Sequence, residues 1–127
     1  QGMADSTVAV QLTEDPEVYI CRPLVETAIA NLVRNAKVHG KAPITIHIGV
    51  DGGRAHIDVD DNGAGIEAAQ REPLFEPFAR GDRRRNGLGL GLPLARQIAR
   101  RHGGDVSFVD LPQPGFRARL SLPIASE

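Results

Sequence analysis

Apolar and polar residues alternate in several short stretches of this chain, and a period of two is typical of β-strands that bury one face. The clearest stretch is residues 44–50, where aliphatic side chains alternate with Thr45 and His47. A two-glycine turn at residues 51–53 then leads into a stretch that ends at Asp61. The complete set of predicted strands is 8–12, 18–20, 44–50, 55–61, 106–108 and 116–122.

Two longer segments carry apolar residues three and four positions apart, which is typical of helices with one buried face. The first begins near Pro23, a residue suited to the first helical turn, and ends near Gly40. The second covers residues 92–102, with Pro93 near its start and Gly103 just past its end. One or two further helical turns are expected over residues 67–72, and a mobile loop is expected over residues 79–91.

Strands interleaved with two one-faced helices predict a fold of the α/β class. The expected architecture is a two-layer α/β sandwich, a mixed, mostly antiparallel sheet with helices on one face. Most strand pairs should be antiparallel because hairpins outnumber crossover connections. The helix-free face of the sheet should then be solvated or meet another domain.

Size, charge and cysteine content narrow the function classes. The 127 residues suit one domain, predicted over residues 7–124, with residues 1–3 set aside as an expression remnant. The 15 basic and 16 acidic residues give a net charge of −1, which argues against nucleic-acid binding. Cys21 is the single cysteine, so the chain cannot form a disulfide framework. No apolar run approaches the roughly 20 residues that span a bilayer, and we expect a cytoplasmic domain without direct membrane contact.

The segment DNGAG at residues 61–65 directly follows a predicted half-buried strand. A carboxylate at a strand end is held in a fixed place, and glycines without a Cβ let the backbone turn sharply or approach a ligand closely. A plain Asn-Gly turn between strands is the alternative, and the segment alone does not decide between them.

Asn31 and Asn35 lie four residues apart in the first predicted helix, so they share a face, which Thr27 and His39 extend. Asparagine is a poor helix former, so two of them beside an apolar face call for a reason. An amide oxygen suits Mg²⁺, which prefers oxygen ligands and keeps waters and substrate phosphates. A solvated polar face is the alternative. His39 by itself is better explained as a helix-end residue favoured by the dipole.

The run GLGLGL at residues 87–92 opens onto the second predicted helix. Glycines before a helix N-terminus bring free N–H groups toward an anion, which is a phosphate-binding arrangement; a flexible hinge is the alternative. The G-x-G-x-G spacing excludes the dinucleotide-binding fingerprint, and the lack of G-K-[ST] excludes a P-loop.

Two further groups precede this run. Four arginines are candidates either for phosphate contacts or for solvated surface: Arg80, Arg83, Arg84 and Arg85. Phe75 and Phe78, half of the four phenylalanines in the chain, predict a hydrophobic clamp that ties a loop to the body. The sequence offers no Ser-His-Asp or Cys-His arrangement that would indicate a nucleophile.

Together these segments resemble the ATP-binding catalytic domain of two-component sensor histidine kinases, in the superfamily of gyrase, Hsp90, histidine kinase and MutL ATPases. Four boxes of that family occur in order: NLVRNA at 31–36, DNGAG at 61–65, FEPF at 75–78, and GLGLGL at 87–92 followed by HGG at 102–104. The resemblance spans residues 8–123. It implies the Bergerat-type ATP-binding fold, with ATP and Mg²⁺ as ligands.

The resemblance implies a role for each polar position of the first two boxes. Asp61 would accept a hydrogen bond from the adenine amino group, while Gly63 and Gly65 would let the chain pass close to the base. Asn35 would ligate Mg²⁺, and Asn31 would hold phosphates. Guanine would be rejected because it would leave a buried acid unpaired.

The resemblance also implies that residues 79–91 form a lid over the triphosphate, anchored by Phe75 and Phe78. The remaining nucleotide contacts that it implies are Arg80, Gly87, Leu88, Gly89 and Gly91. Catalysis would then rest on positioning and on neutralising the γ-phosphate charge, without a catalytic side chain of this chain.

The chain departs from the family pattern in three places. Residues 35–39 read NAKVH where N-A-x-[KR]-[YFH] is common, so Val38 takes the place of the usual lysine or arginine. The cation for the phosphates is therefore either Lys37 or a lid arginine, and His39 takes the aromatic position. The G-T-x-F box is only half present, since Gly115 precedes Phe116, and the lid is short.

In the family, the phosphoacceptor histidine lies on a separate helical dimerisation domain, in an H-[ED]-x-[KR]-x-P-like segment. The histidines of this chain lack that context: His39, His47, His56 and His102. The resemblance therefore implies the catalytic module of a longer, membrane-anchored sensor, monomeric in isolation. Its partners would be the phosphoacceptor domain of the same protein and a response regulator, and it would phosphorylate only when that domain is supplied.

Two other functions share this fold. A free-standing serine kinase of the anti-sigma-factor type has about this length, although the run LARQIARRHGG at residues 94–104 favours the sensor kinase. The other is a non-catalytic nucleotide-binding or protein-docking module.

Overall fold

The computed structural model describes residues 8–12, 16, 18–76 and 91–125. This part of the chain forms a five-stranded sheet in the order β1-β2-β3-β5-β4. Its strands are β1 (Val8–Leu12), β2 (Ile44–Asp51), β3 (Arg54–Asp61), β4 (Asp105–Asp110) and β5 (Phe116–Pro123). The helices are α1 (Arg22–His39), α2 (Ala68–Arg71) and α3 (Gly91–Arg101), and a 3₁₀ helix covers Glu72–Phe75.

The sheet is mixed and mostly antiparallel, as the sequence predicts. β1 and β2 are parallel because α1 forms the crossover between them. The three remaining neighbouring pairs are antiparallel. The register places Ile46 opposite Val59, and Val59 opposite Ala118, so that apolar side chains of adjacent strands share one face.

That apolar face is covered by α1 and α3, which pack against each other and against the sheet. Each helix contributes one buried stripe: Val25, Ala28, Leu32 and Ala36 from α1, and Leu92, Ala95, Ile98 and Ala99 from α3. The sheet contributes Ile44, Val59, Val106, Ala118, Leu120 and Leu122. Truncating a fully buried leucine such as Leu32 would cost about 2–5 kcal/mol, which indicates how strongly this layer holds the helices in place. The predicted two-layer α/β sandwich is therefore confirmed.

Local signals explain where the elements begin and end. Pro23 lies in the first turn of α1, and the Gly40 N–H closes its last turn by donating to the Ala36 carbonyl. Gly52 and Gly53 have φ values of 61° and 77°, the left-handed conformation that a two-residue hairpin between β2 and β3 requires.

The helix-free face of the sheet carries a charge ladder formed by His47, Asp58, Asp60, Arg117 and Arg119. Arg119 binds Asp58 through two nitrogens at 2.9 and 3.1 Å, and Arg117 binds Asp60 at 2.7 and 2.9 Å. His47 approaches Asp60 at 3.2 Å. The cross-strand register dictates this pairing, because Asp58 lies opposite Arg119 and Asp60 opposite Arg117.

The predicted strand at residues 18–20 is wrong. These residues have no strand conformation, and within the described chain no strand pairs with them. Val18 packs against the core while the Tyr19 side chain is exposed, so this short run of three residues leads into α1 without forming a strand. None of the described helices combines the length and apolar character that crossing a bilayer requires.

Candidate functional site

Asp61 is the last residue of β3, and its half-buried carboxyl group lies between two glycines. The Gly63 N–H donates to Asp61 Oδ1 at 2.6 Å. On the other side is Gly40, where an added Cβ would collide with Asp61 Cγ and Oδ2. The carboxyl group therefore lies directly against the C-terminal end of α1.

Asn62 fixes this arrangement by joining the end of β3 to the connection between α1 and β2. Its N–H donates to the Lys41 carbonyl at 2.8 Å, and its side-chain Nδ2 donates to the Pro43 carbonyl at 2.8 Å. Sequence reasoning missed Asn62 and Gly40 as site residues, since the first resembled part of a turn and the second only a helix end. The position of Asn62 beside the carboxylate was the available signal.

Burial raises the pKa of Asp61 above its usual value. The backbone N–H groups of Gly63 and Lys41 oppose this shift, and the neighbouring Asp60 charge adds to it. The charge of Asp61 is thus stabilised mainly by backbone amides in a partly desolvated place. Such a carboxylate is suited to accept a hydrogen bond from a neutral donor on a ligand.

Gly65 ends the same loop in a conformation that favours glycine, with φ of 87°. An added Cβ would lie 2.7 Å from Phe116 Cδ1, so this loop is in close contact with β5. Next to Gly65 an open depression of about 320 Å³ is lined by Gly65, Ile66, Glu67, Gln70 and Leu74. Its volume is at the lower end of the range for small-molecule sites.

The asparagine face of α1 meets the first residue of α3. Asn31 Nδ2 donates to the Thr27 carbonyl at 3.1 Å, and Asn31 Oδ1 lies 3.2 Å from the place that a Cβ on Gly91 would take. Gly91, predicted as the end of a loop, is instead the first helical residue, because the helix here starts one residue earlier than the apolar period indicates. Asn31 and Gly91 belong to separate predicted boxes and are 60 positions apart in the sequence, and the structure brings them together.

Asn35 lies one turn beyond Asn31 and is half-buried. Its amide oxygen is a hard ligand of the kind that Mg²⁺ takes. In the described residues no group of three or more His, Cys, Asp and Glu side chains is arranged to hold a metal ion. A single amide oxygen therefore fits a Mg²⁺ that is held jointly with phosphate oxygens and water.

The other predicted contacts divide into two groups. Lys37 and His39 lie in the exposed last turn of α1. The predictions for Phe78, Arg80, Gly87, Leu88 and Gly89, and for the lid at residues 79–90, lie outside the described residues.

The clamp predicted at Phe75 is confirmed for that residue. Its ring stacks on Phe108 with centroids 5.3 Å apart, which ties the 3₁₀ helix to β4. Two arginines that sequence reasoning missed also hold this region. Arg71 binds Asp110 and the Ile66 carbonyl, and Arg96 binds Glu72.

Comparison with known proteins agrees with this geometry. Residues 22–126 match the family described as histidine kinase-, DNA gyrase B-, and HSP90-like ATPase. The alginate biosynthesis sensor protein KinB of Pseudomonas aeruginosa is 37% identical over 113 residues, which is 87% of this chain but 19% of KinB. The chain therefore spans about a fifth of the length of that relative.

Two solved structures are similar in sequence as well as in fold. The ATP-binding domain of PrrB from Mycobacterium tuberculosis is 31% identical, with a TM-score of 0.71 over 94% of this chain and 82% of that one. The histidine kinase domain of the Escherichia coli osmosensor EnvZ is 32% identical, with a TM-score of 0.70 over 99% of this chain and 83% of that one.

Proposed function

The chain belongs to the histidine kinase-, DNA gyrase B- and HSP90-like ATPase family as a sensor-kinase ATP-binding catalytic domain, and from that premise we propose how it acts. It binds ATP with Mg²⁺ and supplies the γ-phosphoryl group to a histidine on a separate helical domain of the same protein. A response regulator then receives the phosphoryl group from that histidine. By itself the catalytic domain is a cytoplasmic monomer.

The observation that supports this proposal most directly is the packing of Asp61 between Gly40 and Gly63. The carboxylate is partly desolvated, and two backbone amides orient it. Asp61 would accept a hydrogen bond from the exocyclic amino group of adenine. Guanine carries a carbonyl oxygen at that position, so two acceptors would face each other and the carboxylate would lose a partner.

The phosphate end of the nucleotide is proposed to lie toward α1 and the start of α3. Asn31 lies against Gly91 at that junction, and Asn35 follows one helical turn later. Asn31 would orient phosphate oxygens, and Asn35 would ligate Mg²⁺. When bound, Mg²⁺ neutralises charge on the β- and γ-phosphates. Lys37 or an arginine of residues 80–85 would add the remaining positive charge.

In the transfer step an imidazole nitrogen of the acceptor histidine attacks the γ-phosphorus. A P–N bond forms, the P–O bond to the β-phosphate breaks, and ADP leaves with that oxygen. The residues of this chain bind and orient the nucleotide, so that the attacking nitrogen, the γ-phosphorus and the leaving oxygen are roughly collinear.

Isothermal titration of the chain with AMPPNP tests the binding part. We expect saturable binding in the presence of Mg²⁺ that weakens when Mg²⁺ is replaced by a chelator, and no comparable binding of the guanine analogue GMPPNP. Equal affinity for the two nucleotides would contradict adenine recognition by Asp61.

Phosphoryl transfer is tested with γ-labelled ATP and a longer protein in which the domain of residues 7–124 is joined to the helical domain that carries the acceptor histidine. The label should be lost in acid and retained in alkali, as expected for phosphohistidine. A label that survives acid would indicate transfer to serine and favour the anti-sigma-factor-type kinase instead.

A further inference from the structure

Five side chains form one continuous column beside the candidate nucleotide site. The rings of Phe75 and Phe108 stack with centroids 5.3 Å apart, and those of Phe108 and Phe116 with centroids 5.4 Å apart. A guanidinium group covers each end: the Cζ of Arg96 lies 4.0 Å from the Phe75 centroid, and that of Arg71 lies 5.0 Å from the Phe116 centroid. We name this the arginine–phenylalanine column.

Arg96 holds its end of the column from α3. Its side chain is only 14% exposed, and its Nε donates to Asp105 Oδ1 at 3.0 Å. Its two terminal nitrogens donate to the carboxylate of Glu72, the first residue of the 3₁₀ helix. A planar guanidinium that binds two carboxylates while stacked on a ring has little freedom to move.

The other end of the column, formed by Phe116 and Arg71, lies against the loop that follows Asp61 and contains Gly63 and Gly65. The Phe116 ring fills the space beside Gly65, and Arg71 Nε donates to the Ile66 carbonyl at 2.8 Å. The column therefore connects α3, which begins at Gly91, with the loop that follows Asp61. These are the two sides between which the nucleotide is proposed to lie.

We propose that Arg96 is a positioning residue for nucleotide binding, because it fixes the 3₁₀ helix and the Gly65 loop relative to α3. The inference rests on the proposed function, since the two sides matter only if a nucleotide binds between them. Arg96 itself does not need to touch the ligand.

Arg96→Met tests this, because methionine keeps an unbranched apolar stem but removes the guanidinium. By titration with Mg²⁺ and AMPPNP we expect the Kd to rise about fivefold or more, the size typical of a residue that couples to a site without contacting it. Arg100→Met is the matched control. Arg100 also lies on α3 and donates to the same Asp105 oxygen at 3.0 Å, but it is outside the column. Its Kd should change less than about twofold.

A double-mutant cycle tests whether Arg96 acts on binding through its link to Glu72. Glu72→Gln, at an exposed side chain, breaks the same link from the other side and should also weaken binding. If the two residues act as a pair, the double variant should bind no more weakly than Arg96→Met alone. Additive losses would overturn the pairing. Arg96→Lys keeps the charge without the planar fork, and we expect it to restore part of the affinity.

The outcomes distinguish this inference from the proposed function. If the unmodified chain fails to bind AMPPNP, the proposed function fails. If the unmodified chain binds and Arg96→Met matches Arg100→Met, Arg96 has no positioning role. Circular dichroism at the titration temperature confirms that each variant is folded, and Glu72→Gln tests the link if Arg96→Met does not fold.

Discussion

The carboxyl group of Asp61 lies so close to Gly40 that a methyl group on Gly40 would overlap it. Gly40 has φ of −102°, so it does not lie in the left-handed region that favours glycine. The requirement for glycine at this position therefore comes from its close neighbours, since an added Cβ would collide with Asp61 Cγ and Oδ2 and would lie 2.8 Å from the Ala36 carbonyl oxygen. The contact between Gly40 and Asp61 also explains how the end of α1 determines where the acid at the end of β3 can lie.

Gly40→Ala should displace Asp61 and so weaken nucleotide binding. The expected loss in AMPPNP affinity is about tenfold, the value of one charge-assisted hydrogen bond. Titration calorimetry measures the affinity, and a thermal melt of the same sample shows whether the variant is folded. Unchanged affinity in a folded variant would mean that the position of Asp61 does not control adenine binding.

Asp61→Asn should separate binding from stability. Asparagine has nearly the same shape, but its amide cannot replace the carboxylate as an acceptor of equal strength, so AMPPNP affinity should fall by about tenfold or more. The fold should survive, because Asn62 continues to hold the end of β3.

The pH dependence of stability follows from the raised pKa of Asp61. The pKa of Asp61 in the folded protein exceeds the unfolded value of about 3.9. Ionisation of Asp61 therefore lowers the stability of the folded protein at pH values above the folded pKa. This destabilisation disappears at pH values below the unfolded pKa. Asp61→Asn should therefore have a urea midpoint at pH 7 that is no lower than that of the parent chain. The difference between the two midpoints should shrink as the pH falls toward 3.5. A variant that gains relative stability on acidification would contradict the sign of the shift.

Asp105 should show the opposite pH dependence. Burial raises the pKa of Asp105, but hydrogen bonds from Arg100, Arg96 and the Val106 N–H outweigh this, and the pKa lies below its usual value. Its stabilisation is present above the unfolded pKa of about 3.9 and is lost as the pH falls through the folded pKa. Asp105→Asn should cost about 1 kcal/mol at pH 7, since the side chain is partly exposed and solvent screens its pairs.

Urea unfolding of the parent chain and Asp105→Asn from pH 7 to pH 3 checks this expectation. The two free energies of unfolding should converge at the acid end of the series. A difference that stays constant over the whole range would show that the charge of Asp105 contributes nothing to folding.

The sequence patterns predicted those parts of the molecule whose conformation is determined by residues close to them in the sequence. The period of α1 and the glycine turn after Asp51 depend on neighbouring residues, so their positions were accessible. The residues that hold the site are different. Arg96 and Glu72 are 24 positions apart and Arg71 and Asp110 are 39 apart, and these pairs have no sequence signature because only the fold brings them together.

Residues 18–20 show the converse limit of the same reasoning. A run of three residues with side chains common in strands is local information, whereas a strand needs a neighbouring strand to bind. The edge of the sheet is occupied by β1 instead, which pairs with β2 in parallel. Asp61, Asn31 and Gly91 were recognised through their sequence boxes. The contact of Asp61 with Gly40 and that of Asn31 with Gly91 could be found only from the structure.

Loss of a charge from the charge ladder should lower the free energy of unfolding without changing AMPPNP binding. Asp58 is the most buried member, with a side chain 7% exposed, and it binds Arg119 bidentately while Arg117 approaches at 3.4 Å. Asp58→Asn would leave two guanidinium groups with one carboxylate between them. We expect a loss of about 2 kcal/mol in the free energy of unfolding, below the 3–5 kcal/mol typical of a fully buried pair because both arginines remain partly exposed.

Glu26→Gln is the matched control for that variant. Glu26 pairs with Arg22 at 3.0 Å on the surface of α1, where both side chains are more than half exposed, and its loss should cost less than about 0.5 kcal/mol. Urea unfolding of the two variants and the parent chain measures the difference, and AMPPNP titration should give one Kd for all three. Equal costs for the two variants would mean that solvent screens the ladder as fully as it screens a surface pair. A weaker Kd for Asp58→Asn alone would instead mean that the ladder supports Asp61 through β3, which continues from Asp58 to that residue.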